Sequence, residues 1–263
     1  MTTYHLGTMG YGYKDWLGNF YPDHAQPDTY LSHYARVFNA VEMDATFYGT
    51  PRADIVQRWR DQTPDGFIFC PKTPRLITHE TRLENAQGLM EEFIGIIALL
   101  GEKLGPILIQ FPPEFDAAHV GEVDTFLGHL PTHARYAVEF RHRSWDTPNT
   151  AQMLRTHNIC WVSAEYIIME PRLHHTTDFL YLRFLGRHGA FERKTHLQKD
   201  VTPLLHKWHT HLQPKLNPET ARAVYAFFNN DFSGHSPTTC NQFKTLLGLP
   251  ITQPEIPKQQ TLF

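Results

Sequence analysis

Eight short apolar runs recur along the chain, and the stretches that separate them have the spacing of amphipathic helices. The runs are YHLGT (4–8), AVEMDAT (40–46), FIFCPK (67–72), PILIQF (106–111), RYAVEFR (135–141), ICWVSAE (159–165), FLYLRFL (179–185) and AVYAFFNN (223–230). Runs of this length, rich in β-branched and aromatic residues, suit strands buried on both faces of a parallel sheet. Helical patterns include ADIVQRWRDQ, AQGLMEEFIGIIALLGEKL, VGEVDTFLGHL and VTPLLHKWHTHL, with TTCNQFKTLLG after the last run. Alternation of this kind around one core predicts an α/β chain folded as a single (β/α)8 TIM-type barrel over residues 1–249. An open doubly wound sheet is the competing arrangement, but no run leads into a GxGxxG turn. At 263 residues and 41% hydrophobic composition the chain can fill one large core. Residues 250–263, with Pro250, Pro254 and Pro257 close together, are expected to form a short extended tail.

Bulk charge narrows the function classes. A net charge of −3 provides no global field to gather nucleic acid or a membrane surface, although a local basic groove remains compatible with it. The N-terminal segment lacks a charged region followed by an apolar one, and the longest apolar stretch, near residues 93–101, is about half a membrane span. A soluble, cytoplasmic protein without membrane contact is expected. Cys70, Cys160 and Cys240 are far apart and odd in number, so reduced, buried thiols are expected rather than a disulfide framework or zinc ribbon.

The runs share a second property: they end in polar residues. Asp44 closes the second, Lys72 the third, Gln110 the fourth, Glu139 with Arg141 and His142 the fifth, Glu165 the sixth, Arg183 the seventh, and Asn229 with Asn230 the eighth. In a parallel barrel the C-terminal strand ends meet on one face, where active sites lie. Any single carboxylate or guanidinium there can be explained as half of a buried pair. A whole rim of them points to a ligand.

The residue types suggest the chemistry. Glu42 and Glu139 can act as general acid and base if their environments separate their acidities, and Lys72, Arg141 and Arg183 can hold a phosphate or carboxylate. The expected catalytic set is Glu42, Glu139, Lys72 and His142. Asp44, Tyr48, His79, Gln110, Arg141, Trp145, Arg183, Arg187, Asn229 and Asn230 are expected to bind substrate. Asp44, His79, His142 and Glu165 supply enough oxygen and nitrogen for a divalent ion, so Mg, Mn or Zn is a candidate cofactor, though no known metal spacing is present. Gly186, Arg187 and Gly189 form a loop of the kind that cradles phosphate after the seventh barrel strand. His206, His209 and His211 are read as a solvated helix face.

The motifs GTMGYGYKDWLGNFYP, VEMDATFYGTP, PKTPRLITH, LGPILIQFPPEF, VEFRHRSW, YLRFLGR and FFNNDFSGHSP, in this order, resemble the DUF72 (YecE-like) family. The resemblance runs to about residue 249 and implies a TIM-type barrel and a set of positions, without a reaction. The chain departs from the family pattern in several places: Met9-Gly10-Tyr11-Gly12 stands in place of Ser-Gly-Trp-Ser, Asp44 in place of Asn, and Leu185 and Asp231 in place of two histidines. A mechanism built on those histidines is therefore not expected here.

Three functions of different classes fit. The first is an enzyme, in the manner of a phosphoester hydrolase, acting on a phosphate-containing substrate, nucleic acid included. The second is a carbohydrate-active hydrolase or isomerase using Glu42 and Glu139. The third is a non-catalytic barrel that binds an anion and a partner. The end of the tail, KQQTLF, resembles short peptides that dock onto sliding clamps, with Gln259, Leu262 and Phe263 as the contact residues.

Overall fold

A computed structural model describes residues 1–166 and 172–256. Among the described residues there are nine parallel strands: β1 (Thr3–Thr8), β2 (Ala40–Met43), β3 (Ile68–Pro71), β4 (Ile107–Gln110), β5 (Tyr136–Glu139), β6 (Cys160–Trp161), β7 (Ser163–Glu165), β8 (Phe179–Phe184) and β9 (Ala223–Phe228). They form three sheets, ordered β1-β9-β8-β7, β2-β3 and β4-β5-β6. The helices are α1 (Tyr30–Tyr34), α2 (Ala53–Asp61), α3 (Ala86–Ile97), α4 (Val120–Gly128), α5 (Pro148–Thr156), α6 (Thr202–Leu212), α7 (Asn230–Ser233) and α8 (Ser236–Leu246). The fold is thus mixed α/β with parallel sheets, and each expected apolar run contains strand.

The structure departs from eight continuous strands in two ways. The sixth run divides at Val162, whose N–H still bonds Val138 O at 2.9 Å. Among the described residues no ladder joins β1 to β2 or β3 to β4; isolated bridges link these edges, Met9 with Glu42 and Lys72 with Leu108. Between β1 and β2, side chains replace the ladder. Tyr34 OH accepts from Thr8 N–H at 2.7 Å and donates to Ala40 O at 2.9 Å. Asn39 accepts from Leu6 N–H and donates to Tyr4 O. Gly7 is required at this seam, because a Cβ there would lie 1.8 Å from Ala40 O.

The strands share a core that also sets up the site. Met9, Ala40, Cys70, Leu108, Ala137, Cys160, Tyr181 and Phe227 belong to one buried cluster, while two larger clusters join the outer strand faces to the helices. Side chains two residues apart on a strand share a face. Glu42 therefore follows Ala40, Lys72 follows Cys70, Gln110 follows Leu108, Glu139 follows Ala137 and Arg183 follows Tyr181, each one step toward the C-terminal end. All three cysteines are free and buried. Among the described residues no helix is long and apolar enough to cross a membrane. Residues 250–256 have no regular secondary structure and reach back through an exposed Arg36–Glu255 ion pair. The expected clamp-binding residues Gln259, Leu262 and Phe263 lie outside the described residues.

Candidate functional site

Arg183 organises the polar end of the strands. Its guanidinium is 2% exposed and lies between two buried carboxylates. Toward β2, Nη2 donates to Glu42 Oε1 at 2.6 Å and Nε to Oε2 at 3.0 Å, a two-pronged contact. Toward β5, Nη1 donates to Glu139 Oε2. Tyr181, one step deeper on β8, donates to Glu42 Oε2 at 2.8 Å, and Arg141 Nε donates to Glu139 Oε1 at 2.6 Å. Buried charges at these positions persist because each carboxylate accepts at least two charge-assisted or phenolic bonds.

The two carboxyls are pushed apart in acidity. Burial raises Glu42, only partly offset by Arg183, and the nearby Asp44 charge adds to the rise. Burial would raise Glu139 too, but Arg141 and Arg183 together overcome it and hold the carboxyl down at about 2. The difference comes from the count of cations, one against two. Glu139 is a fixed anion, and Glu42 is the carboxyl whose proton is held more tightly.

Lys72 occupies the next corner and is held differently. Its backbone is pinned by Thr46, whose hydroxyl accepts from Lys72 N–H at 3.0 Å and lies 2.7 Å from Lys72 O. The side chain is 7% exposed, and Nζ sits 3.7 Å from the centre of the Phe47 ring. Among the described residues Nζ forms no ion pair and no hydrogen bond. Burial lowers its pKa to about 8; Asp44 and Glu139 oppose the shift, and Arg183 and Arg141 add to it. Beside it, His79 on the π-helical turn Leu76–Glu80 is lowered to about 4 by burial, then by Lys72 and Arg141, so the imidazole is neutral. Its Nε2 is 3.4 Å from Gln110 Nε2, and its ring meets Phe47 edge to face. Arg141, with a side chain 19% exposed, lies over the Tyr166 ring and spends its Nε on Glu139. A cavity of about 370 Å³, lined by Gly10, Tyr11, Lys14, Tyr30, Met43 and Asp44 among others, shares Asp44 with this corner.

A family model described as "Protein of unknown function DUF72" matches residues 5–261. The chain belongs to the DUF72 family. The UPF0759 protein YecE of Escherichia coli (strain K12) is 39% identical over 114 residues, covering 43% of this chain and 42% of that relative, so the match spans less than half of either length. The UPF0759 protein YunF of Bacillus subtilis (strain 168) is 26% identical over 290 residues, covering 98% and 99%. Among solved structures, a DUF72 family protein from Thermotoga maritima MSB8 has a TM-score of 0.79 at 30% identity, covering 94% of this chain and 99% of that one. Another, from Enterococcus faecalis V583, has a TM-score of 0.76 at 21% identity over 95% and 99%, a likeness of fold alone.

Not every polar strand end of this DUF72 chain reaches the site. His142 caps the short helix Arg143–Trp145: its Nδ1 accepts from Ser144 N–H at 3.3 Å and lies 2.8 Å from Ser144 Oγ. Trp145 is fully buried, stacked on Phe140 with ring centres 4.1 Å apart, and donates to Phe115 O. Asn229 caps α7 and touches Met9 Sδ. Asn230 Oδ1 accepts from Trp16 Nε1 and from Ser236. Glu165 accepts from Trp208 at 2.6 Å. Tyr48 and Arg187 are exposed. The Gly186–Gly189 loop is already filled, because Asp231 Oδ2 accepts from Gly189 N–H at 2.9 Å, where a phosphate oxygen would otherwise bind. Asp44, His79, His142 and Glu165 do not converge, and among the described residues no group of three or more His, Cys, Asp or Glu is placed to hold a metal ion. Residue patterns did not single out Tyr181, Thr46 or Met9. Thr46 and Phe47 sit inside the VEMDATFYGTP motif, whose turn aims them at Lys72.

Proposed function

We propose that the strands close into one eight-stranded TIM-type barrel and that the Lys72–Arg141 corner binds a small phosphate-containing substrate and moves a proton on it. The bridges at both sheet edges and the common interior cluster support closure, with β6 and β7 counted as one interrupted strand. The observation that carries the functional reading is the ammonium of the largely buried Lys72, without an ion-pair partner among the described residues and close enough to feel the charge of Arg141, whose Nη groups make no hydrogen bond to Glu139. Structural cations in the same layer are neutralised by protein, as Arg183 is. Lys72 is left to an external anion, and binding one would repay its desolvation.

In this reading Lys72 and Arg141 touch the substrate. Glu139 positions both arginines, and Glu42 with Tyr181 fixes the orientation of Arg183. A Lys72 pKa of about 8 lets the ammonium donate a proton to a leaving oxygen near neutral pH and take it back afterwards. The carbohydrate reading requires an open gap between the two carboxyls for the scissile bond. Here the Arg183 guanidinium fills that gap, so nothing in the geometry favours it. Titration calorimetry with inorganic phosphate tests the proposal. The unmodified protein is expected to bind, and Lys72→Met to bind roughly tenfold or more weakly, the loss of one charge-assisted contact. Equal binding by the two proteins removes Lys72 from the site.

A further inference from the structure

We infer that Lys72 is also a nucleophile, and that the substrate class of this site is an anionic aldehyde or ketone that forms an imine with Nζ. The inference rests on the anion-binding reading above and names the group that reacts. Three features of the geometry support it. Lys72 is only 7% exposed, and among the described residues its Nζ has no hydrogen-bond partner, so its lone pair, once unprotonated, is free to attack. One side is covered by the Phe47 ring, 3.7 Å away, which leaves the amine poorly solvated. The backbone on which it stands is held by Thr46, whose hydroxyl accepts from Lys72 N–H at 3.0 Å and shares its hydrogen between Lys72 O and Met43 O, each 2.7 Å away. Desolvation and neighbouring cations are the two means by which enzymes obtain a neutral lysine near physiological pH, and both act here. The charged groups facing Nζ are Asp44 after β2, Glu139 and Arg141 on and after β5, and Arg183 on β8; His79 is uncharged. Arg141 is the group positioned to hold the substrate's phosphate or carboxylate while its carbonyl meets Nζ.

The step balances without a further reactant. Unprotonated Nζ adds to the carbonyl carbon and a C–N bond forms. The carbonyl oxygen takes one proton from the amine and one from solvent and leaves as water. The product is a protonated imine, which retains the positive charge formerly on the ammonium among the same carboxylates. Such an iminium withdraws electrons from the adjacent carbon, the property that a carbon–carbon cleavage or proton abstraction at that carbon would use.

Borohydride trapping reads this directly, because hydride addition to the imine carbon leaves a stable secondary amine. The protein is incubated with dihydroxyacetone phosphate, or with pyruvate, reduced, and mapped by peptide mass. One adduct per chain on Lys72 is expected, formed roughly tenfold or more faster at pH 8 than on exposed lysines such as Lys199 and Lys207, since an ordinary lysine is almost wholly protonated there. Lys72→Arg should abolish it, and Arg141→Met should slow it. An unmodified Lys72 peptide with both ketones, or labelling no faster than at the exposed lysines, overturns the inference. Calorimetry with inorganic phosphate separates the two claims: phosphate binding without an adduct defeats the imine alone, whereas a pyruvate adduct without phosphate binding defeats the phosphate-site reading.

Discussion

Arg183 and Lys72 lie in the same polar layer, one residue step beyond the same interior cluster, yet the protein treats them in opposite ways. Arg183 is neutralised on both sides by Glu42 and Glu139 and is buried with its hydrogen bonds made. Lys72 is nearly as buried, has no ion-pair partner among the described residues, and has its pKa driven down to about 8. Burial alone therefore does not distinguish a charge the protein completes from the one proposed to meet a ligand. The distinguishing feature is whether the protein itself completes the charge.

Breaking the completed side should give the largest effect. In Arg183→Met, Glu42 and Glu139 lose their shared cation while remaining buried. Removing one partner of a buried ion network costs about 3 to 5 kcal/mol, most of it from the charges left behind. Urea unfolding at pH 7 should show a loss of that size, and a loss below about 1 kcal/mol would mean that the knot is not the closed unit described here. Glu139 sets the sign at low pH. Its carboxyl lies below the ordinary value in the folded state, so the stability it contributes is present above about pH 4.5 and disappears as pH falls toward about 2.

The incomplete side should respond with the opposite sign. Lys72 has a folded pKa below its unfolded value of 10.5, so the unfolded chain binds more protons between about pH 8 and 10.5. Stability therefore rises with pH across that window, and below it the cost of burying the ammonium is fully present. A shift of this size corresponds to about 3 kcal/mol. Lys72→Met, which keeps most of the volume and removes the charge, should stabilise the protein at pH 7 by up to that amount, with the gain fading toward pH 10.5. Denaturant midpoints at pH 7 and pH 10 check it. Destabilisation at pH 7 would show that Lys72 is completed by the protein after all.

How far this contrast could be read from sequence follows from what each residue depends on. The strand positions and the faces of their polar ends were legible because apolar runs mark strands and period-two alternation fixes which side chain follows which, as Ala40 fixes Glu42 and Ala137 fixes Glu139. The seam at β1/β2 was not legible, because it depends on Tyr34 and Asn39 arriving from α1 and the loop after it to take over backbone bonds. The rim was also read too widely. Asn230 follows its strand end as closely as Arg141 does, and Trp145 comes one short turn later, but the turns after β5 and β9 swing both into the core, and His142 is spent as a cap. A strand places its own residues by alternation; past the strand, local turn geometry decides, and that is where the expectations and the structure part.

The smallest expected effect lies at the base of the completed knot and tests whether completion is electrostatic or merely steric. Tyr181 donates a single bond to Glu42, and hydrogen bonds to charged groups contribute about 1.5 to 3 kcal/mol. Tyr181→Phe should therefore destabilise at pH 7 by an amount in the lower part of that range, since Arg183 still holds both Glu42 oxygens. The pH dependence separates the explanations. Glu42 already has a raised pKa, so its burial costs stability at neutral pH and the cost is relieved on acidification. Loss of the phenolic donor raises the carboxyl further and widens that window upward. As the pH is lowered from 7 the variant should thus recover part of its deficit relative to the unmodified protein, as Glu42 takes up a proton and no longer needs the donor. A void left by the missing oxygen would cost the same throughout the titration. A deficit that does not change with pH would assign Tyr181 to packing and leave the completion of Glu42 to Arg183.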